Sequence, residues 1–217
     1  MSAGAAAGTG GEVAAGGTAT GGVATGGVAA GGVAAGGGEA VGGSVATGGA
    51  TGEFLLSSPA WEAVNNEDCS KETPEPCPTY PLESTNFGSP EKNVSPEMDW
   101  TGAPEGTMSF AVVLSDLTNG SAHWAIYDIP SSTTGLPRGL PKDSPLTDPA
   151  GAKQITNFNQ KGYFGSGACG NVYEHRVYAL GVASLGSPGD VTATRTAIQA
   201  SQILGETFVR LQSRDCN

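Results

Sequence analysis

Residues Met108–Leu114 read Met-Ser-Phe-Ala-Val-Val-Leu, and residues His123–Ile129 read His-Trp-Ala-Ile-Tyr-Asp-Ile. The first is a continuous, largely apolar run of strand length, the pattern of a strand buried on both faces. The second alternates: His123, Ala125 and Tyr127 are predicted on one face, Trp124, Ile126 and Asp128 on the other. Outward from these two runs, Phe54-Leu55-Leu56 opens the folded part, and Arg176–Leu185 is a third strand candidate interrupted by Gly181. Ala103-Pro104-Glu105-Gly106, Asn119-Gly120 and the proline-rich stretch 137–149 supply the turns. One helix is predicted over Thr194–Leu211, where Ala197, Ala200, Leu204, Phe208 and Leu211 form a single stripe, with Arg210 and Arg214 near its C-terminal end. The reading is a mainly β domain with one helix packed on a sheet.

The N-terminal quarter has a different character. Of residues 1–52, 47 are Gly, Ala, Val or Thr, and a five-residue unit repeats from Gly16 to Ala35. Glycine doublets weaken both helix and strand, and small side chains cannot offset the entropy of ordering the chain. Residues 1–52 are therefore expected to be a disordered linker or stalk, with an r.m.s. reach of roughly 40 Å. Residues 53–217 form the expected domain and hold all four cysteines, both histidines and every aromatic residue.

The net charge of −11 argues against nucleic acid or an anionic membrane surface as a general partner. No stretch of about 18 apolar residues is present to span a bilayer. Cys69, Cys77, Cys169 and Cys216 lack the close pairs of a zinc site. They are expected to form disulfides, in one of three pairings that spacing does not choose between. That implies an extracytoplasmic compartment, although residues 1–20 hold no export signal; the alternative is a cytoplasmic protein with four reduced thiols.

Further residues carry a family resemblance. Asn93–Trp100 (NVSPEMDW), Ala103–Thr107 (APEGT), Ser109–Ala111, Asp116, His123-Trp124, Ile129-Pro130, Gly162-Tyr163 and His175-Arg176 occur in that order. With Phe54–Trp61 (FLLSSPAW), this series resembles the phosphatidylethanolamine-binding protein family, in its bacterial Raf kinase inhibitor-like branch. The resemblance implies a large central antiparallel sheet, a smaller sheet packed beside it and a C-terminal helix. It also implies a surface cavity for phosphate-like anions, including phospholipid head groups. Carried over singly, Asp116 matches the first loop aspartate, His123 the cavity histidine and His175 the second histidine. The second loop aspartate falls on Thr118, the Ala-Pro after it on Asn119-Gly120, and the tyrosine two places after the second histidine on Val177. A Gly-Pro-rich loop becomes residues 165–171, which keep glycines but no proline.

The expected ligand set is Asp116, His123, His175, Gly165, Gly167, Ala168, Cys169 and Gly170. The two imidazoles and the loop amides would converge on an anion, with Asp116 orienting an imidazole. The expected function is a non-enzymatic binding domain for a small anionic or phosphorylated ligand, without metal or cofactor. The alternative is an inhibitor or protein-interaction module with a vestigial cavity. Two chemical readings compete: a metal site from His123, His175 and Asp116, and a Cys169 nucleophile near His175. The acidic residues between Glu62 and Glu75 read as a solvated loop.

Overall fold

Phe110, Val112 and Leu114 alternate with Ala111 and Val113 along β3 (Ser109–Asp116), and all five side chains are buried. The strand is covered twice because different elements lie on its two faces. The computed structural model describes residues 52–62, 64–87, 90–157 and 161–214. The expected linker up to residue 51 and Cys216 lie outside these described residues.

β3 sits at the centre of a five-stranded antiparallel sheet in the order β6-β4-β3-β7-β8. The partners are β4 (Ala122–Pro130), β6 (Lys153–Thr156), β7 (Val172–Leu180) and β8 (Ile203–Gln212). A three-stranded antiparallel sheet joins β1 (Leu55–Ser57), β2 (Met98–Thr101) and β5 (Gly135–Leu136), in the order β1-β2-β5. Leu56, Met98 and Trp100 of the small sheet share one core with Phe110, Val112, Leu114, Trp124, Ile126, Tyr173, Val177 and Val209. On the other face, Val191 and Ile198 of α1 (Val191–Ala200) cover Ala111, Val113, Ala125, Tyr127, Tyr178 and Leu180. Fully burying a side chain such as Leu114 contributes about 1.5–3 kcal/mol, so this two-sided burial is the main reason for the fold.

The helix differs from the expected span. It starts at Asp190, whose side chain accepts the Ala193 N–H at 2.7 Å. It stops at Ala200, and the rest of the expected helix is β8. Period 2 wins there over the helical stripe: Thr207, Val209 and Leu211 face the core, while Glu206 and Arg210 turn outward. β8 pairs with β7 from Ile203 to Gln212, and this ladder takes the place of helical hydrogen bonds. The helix is therefore followed by a strand and does not end the fold. β7 begins four residues before its expected start, at Val172, and Gly181 lies just beyond its end. Gly106 and Gly120 take positive φ at the two expected turns.

The outer edge of β8 is covered by the chain itself. Asn65 exchanges two hydrogen bonds with Phe208, Asn66 two with Arg210, and the Pro78–Tyr80 segment two with Gln212. On the outward face of β7 and β8, Arg176 and Arg210 both stack on Phe208 and both pair with Glu174. Burial pushes the Glu174 carboxyl up, but the two guanidiniums outweigh it and hold it below the usual range.

Candidate functional site

His123 lies where β3 and β4 fall out of step. Leu114 pairs with Trp124 and Ser115 with Ala122, so His123 is the extra residue of a β-bulge. Strict alternation would have placed it with Ala125 and Tyr127; the bulge turns it to the opposite face. Its ring stacks on Phe164 at 5.8 Å and meets Tyr173 edge-on at 5.3 Å. Nδ1 is 3.0 Å from the Gly165 carbonyl. A carbonyl only accepts, so Nδ1 carries the proton and Nε2 is the atom left for another partner. The residue is 8% exposed.

Asp116 is buried and its carboxylate is filled from its own neighbourhood. One oxygen accepts from the N–H groups of Thr118 (2.9 Å) and Asn119 (3.4 Å). The other accepts from Nδ2 of Asn119 (2.9 Å) and of Asn171 (2.7 Å). It therefore shapes the loop after β3 and holds residue 171; it does not orient an imidazole, as the sequence suggested.

Tyr173 occupies the ground between these groups. Its hydroxyl oxygen accepts the N–H groups of Gly167 at 3.0 Å and Ala168 at 3.1 Å. Burial pushes its phenol up, the two amides pull it back, and Asp116 pushes it up again. Two of the amides expected to cradle an anion thus hold a side chain of the same molecule. Gly165 N–H donates to Oδ1 of Asn93, and Gly170 N–H to the Ser213 carbonyl. Gly165 has a steric reason of its own, since a Cβ there would run into the Ser84 carbonyl.

His175 lies inside the core, with no exposed surface. Its ring stacks with Trp61, at 5.5 Å, and with Tyr163, at 6.2 Å. Its Nε2 is 2.5 Å from the Tyr80 hydroxyl, which is 2.5 Å from the Tyr163 hydroxyl, which donates to the Ser84 carbonyl at 3.1 Å. Proton counting fixes the direction of this chain. Ser84 can only accept, so Tyr163 donates to it; Tyr80 then donates to Tyr163, and Nε2–H of His175 donates to Tyr80. Nδ1 is left as a bare lone pair, and it has no hydrogen-bond partner. Burial lowers the imidazole pKa to about 3, so the ring is neutral at ordinary pH. Burial also raises the Tyr80 and Tyr163 phenols, so both stay protonated.

The two histidines therefore belong to one aromatic cluster without facing each other. Tyr173 and Tyr80 stand between them, 5.9 Å apart and edge to face, with Tyr80 5.7 Å from His175. The expectation of two imidazoles lining a shared hollow is corrected in this respect: His175 is a core residue, and His123 alone reaches the surface. The two-histidine, one-carboxylate metal alternative does not assemble, because Asp116, His123 and His175 each have other partners. Among the described residues no group of three or more His, Cys, Asp or Glu is placed to hold a metal ion. Cys169 is disulfide-bonded and offers no thiol for nucleophilic attack. Cys69 and Cys77 form a second disulfide, which pins the proline-rich loop.

The sequence reading missed the tyrosines. Tyr173 precedes His175 by two, so period 2 on β7 already put both on one face. Nothing in the sequence marked Tyr80 as their neighbour, because it comes from an irregular segment about ninety residues earlier.

A family model for the phosphatidylethanolamine-binding protein matches residues 73–210. The chain belongs to the phosphatidylethanolamine-binding protein family. Among relatives of this family, a UPF0098 protein of Aquifex aeolicus is 38% identical over 105 residues, 45% of this chain and 60% of its own length. The UPF0098 protein YbcL of Escherichia coli is 37% identical over 107 residues, 44% of this chain and 57% of its own length. The matched stretch thus spans about 60% of the length of these relatives. The crystal structure of Escherichia coli YbcL, described as a new member of the mammalian family, superposes with a TM-score of 0.59 at 21% identity, covering 76% of this chain and 99% of that one. A phosphatidylethanolamine-binding protein homolog of Chlamydia trachomatis gives 0.55 at 15% identity, covering 75% and 97%. The phosphatidylethanolamine-binding protein fold is thereby established for the described domain. No helix among the described residues is long and apolar enough to cross a membrane.

Proposed function

We propose that this member of the phosphatidylethanolamine-binding protein family is a non-enzymatic binding domain for a small anionic or phosphorylated ligand, and that His123 makes the decisive contact. Family membership supports a binding domain. The observation that carries the finer reading is the anchored imidazole: Nδ1 is held on the Gly165 carbonyl, which leaves Nε2 as the ring atom for another partner. Protonation of that nitrogen gives an oriented N⁺–H donor, the group a phosphate oxygen accepts from most strongly. His175, buried and neutral, acts in this reading only as a scaffold.

The test is a titration of full-length protein with inorganic phosphate and, separately, with phosphoethanolamine, followed through the imidazole resonances. A shift of the His123 signals with no change at His175 supports the reading. Silence at His123 up to tens of millimolar overturns it. A second reading, a protein-interaction module with a vestigial cavity, has one observation in its favour: the Gly167 and Ala168 amides already hold Tyr173. A partner whose capture survives His123→Ala would support it.

The Cys69–Cys77 and Cys169 disulfides favour an extracytoplasmic setting, in which the glycine-rich segment would display the domain from a surface. Alkylating whole cells before lysis tests this: protected cysteines support it, and four alkylated cysteines overturn it.

A further inference from the structure

Five of the ten Lys and Arg residues pair with acids, and two more, Arg195 and Arg214, donate to backbone carbonyls. The other three are Lys92, Lys142 and Lys161. All three are exposed, and none has a hydrogen bond or an acid partner among the described residues.

These three lysines share one place. Lys92 precedes Asn93, whose Oδ1 accepts the Gly165 N–H at 3.0 Å. Lys142 lies on Gly162, where an added Cβ would be 2.7 Å from its Cγ. Lys161 directly precedes Gly162. Gly162 to Gly165 spans at most about 10 Å of chain, and the Gly165 carbonyl holds Nδ1 of His123. The lysines without partners are therefore attached to the segment that positions the imidazole.

Nearby acids do not cancel them. Residues 84–90 and 157–171 contain no Asp or Glu. Glu91, next to Lys92, is taken by Arg138 at 2.6 Å. Asp116 is buried under four donors. Asp143, exposed beside Lys142, offsets one of the three charges. In a chain of net charge −11 this is a local excess of positive charge, and an anion is drawn to it rather than to the rest of the surface.

We infer that Lys92, Lys142 and Lys161 form a cationic rim for a ligand carrying two or more phosphate-like groups. One group meets Nε2 of His123, which rests on the binding function proposed above; the others meet the ammonium groups. Lysines act as point charges on flexible stems, so such a rim selects for the number of negative charges rather than for a fixed bidentate geometry.

The experiment titrates the full chain at low ionic strength with inorganic phosphate and, separately, with inorganic triphosphate. Imidazole resonances report on His123, and acetylation mapped by mass spectrometry reports on each lysine. Triphosphate should bind at least tenfold tighter than phosphate, and the advantage should shrink when salt is added. It should slow acetylation of Lys92, Lys142 and Lys161 at least threefold and leave Lys71 unprotected. In the triple variant Lys92→Gln, Lys142→Gln, Lys161→Gln the advantage should fall below threefold; Lys142→Gln keeps the Cβ and Cγ that pack on Gly162, and an unchanged melting temperature shows that the fold is intact. Lys71→Gln should keep the full advantage. Equal affinity for the two anions in the wild type overturns the rim, as does a full advantage in the triple variant or equal protection of Lys71. Protected lysines with His123 silent to both anions support the rim and overturn the binding function at His123. A His123 shift without lysine protection does the reverse.

Discussion

The Tyr80 hydroxyl lies 2.5 Å from Nε2 of His175, and the imidazole is the donor. The assignment follows from the fixed acceptor at the far end of the chain, the Ser84 carbonyl. It gives the two histidines opposite tautomers: Nε2–H at His175, where both partners are buried, and Nδ1–H at His123, where the partner is the Gly165 carbonyl. Nitrogen-15 shifts should report one imidazole of each kind near pH 8. Two imidazoles of the same tautomer would contradict the hydrogen-bond directions.

His175 makes folding sensitive to acid. With a folded pKa of about 3 against 6.5 for the free group, the unfolded chain binds a proton that the folded chain refuses. Between those values stability falls as pH falls, by about 1.4 kcal/mol per pH unit once well below 6.5. Glu174, held below its ordinary range, adds a loss of the same sign at lower pH. Denaturant titrations of wild type and His175→Phe at pH 7, 6 and 5 measure the difference. The variant should show a flatter dependence over this range, and an equal slope would mean that His175 is charged inside the fold.

Tyr80→Phe removes the middle of the chain and leaves Nε2–H of His175 and the Tyr163 oxygen short of a buried partner. An unsatisfied buried polar group costs about 1–3 kcal/mol, so a loss of that order in urea unfolding is expected. A change below about 0.5 kcal/mol would show that the hydroxyl carries no net stabilisation.

Gly165→Ala tests the close approach of the loop to residue 84. The added Cβ meets the Ser84 carbonyl, which is backbone and cannot rotate away. A destabilisation of roughly 3 kcal/mol or more is expected, in the range of severe overpacking. Gly170→Ala is the control for added bulk in open space; its positive φ of 78° alone leads to a milder cost of about 1 kcal/mol.

Asp190→Ala removes the side chain that accepts the Ala193 N–H at the start of α1. The expected cost is about 1 kcal/mol, read as a lower melting temperature. The same change should leave the His123 resonances in place, because α1 packs on the face of the sheet opposite the aromatic cluster.

The sequence was most informative where periodicity was strong. Met108–Leu114 announced a strand covered on both sides, and β3 is that strand. The segment Thr194–Leu211 was misread because two periods coexist in it: the residues of the helical stripe from Leu204 onward sit equally well on a strand, and the pairing with β7, a long-range term, decides between them. At the site, the order of the motifs pointed to His123, Asp116 and the glycine loop, and the structure places all three beside Tyr173. That order could not show the bulge that turns His123, which depends on the register between two strands. Nor could it show that Tyr173 holds the amides, since a tyrosine on a strand ordinarily signals packing alone.

The covering of β8 bears on how copies of this molecule can meet. Asn65, Asn66 and the Pro78–Tyr80 segment occupy the main-chain groups at Phe208, Arg210 and Gln212 that a foreign strand would need. That margin of the large sheet is closed to templating by a neighbour. Growth of a continuous intermolecular sheet, whether as an ordered dimer or as a fibril, would have to start from the β6 side or wait until the asparagine clasp came undone.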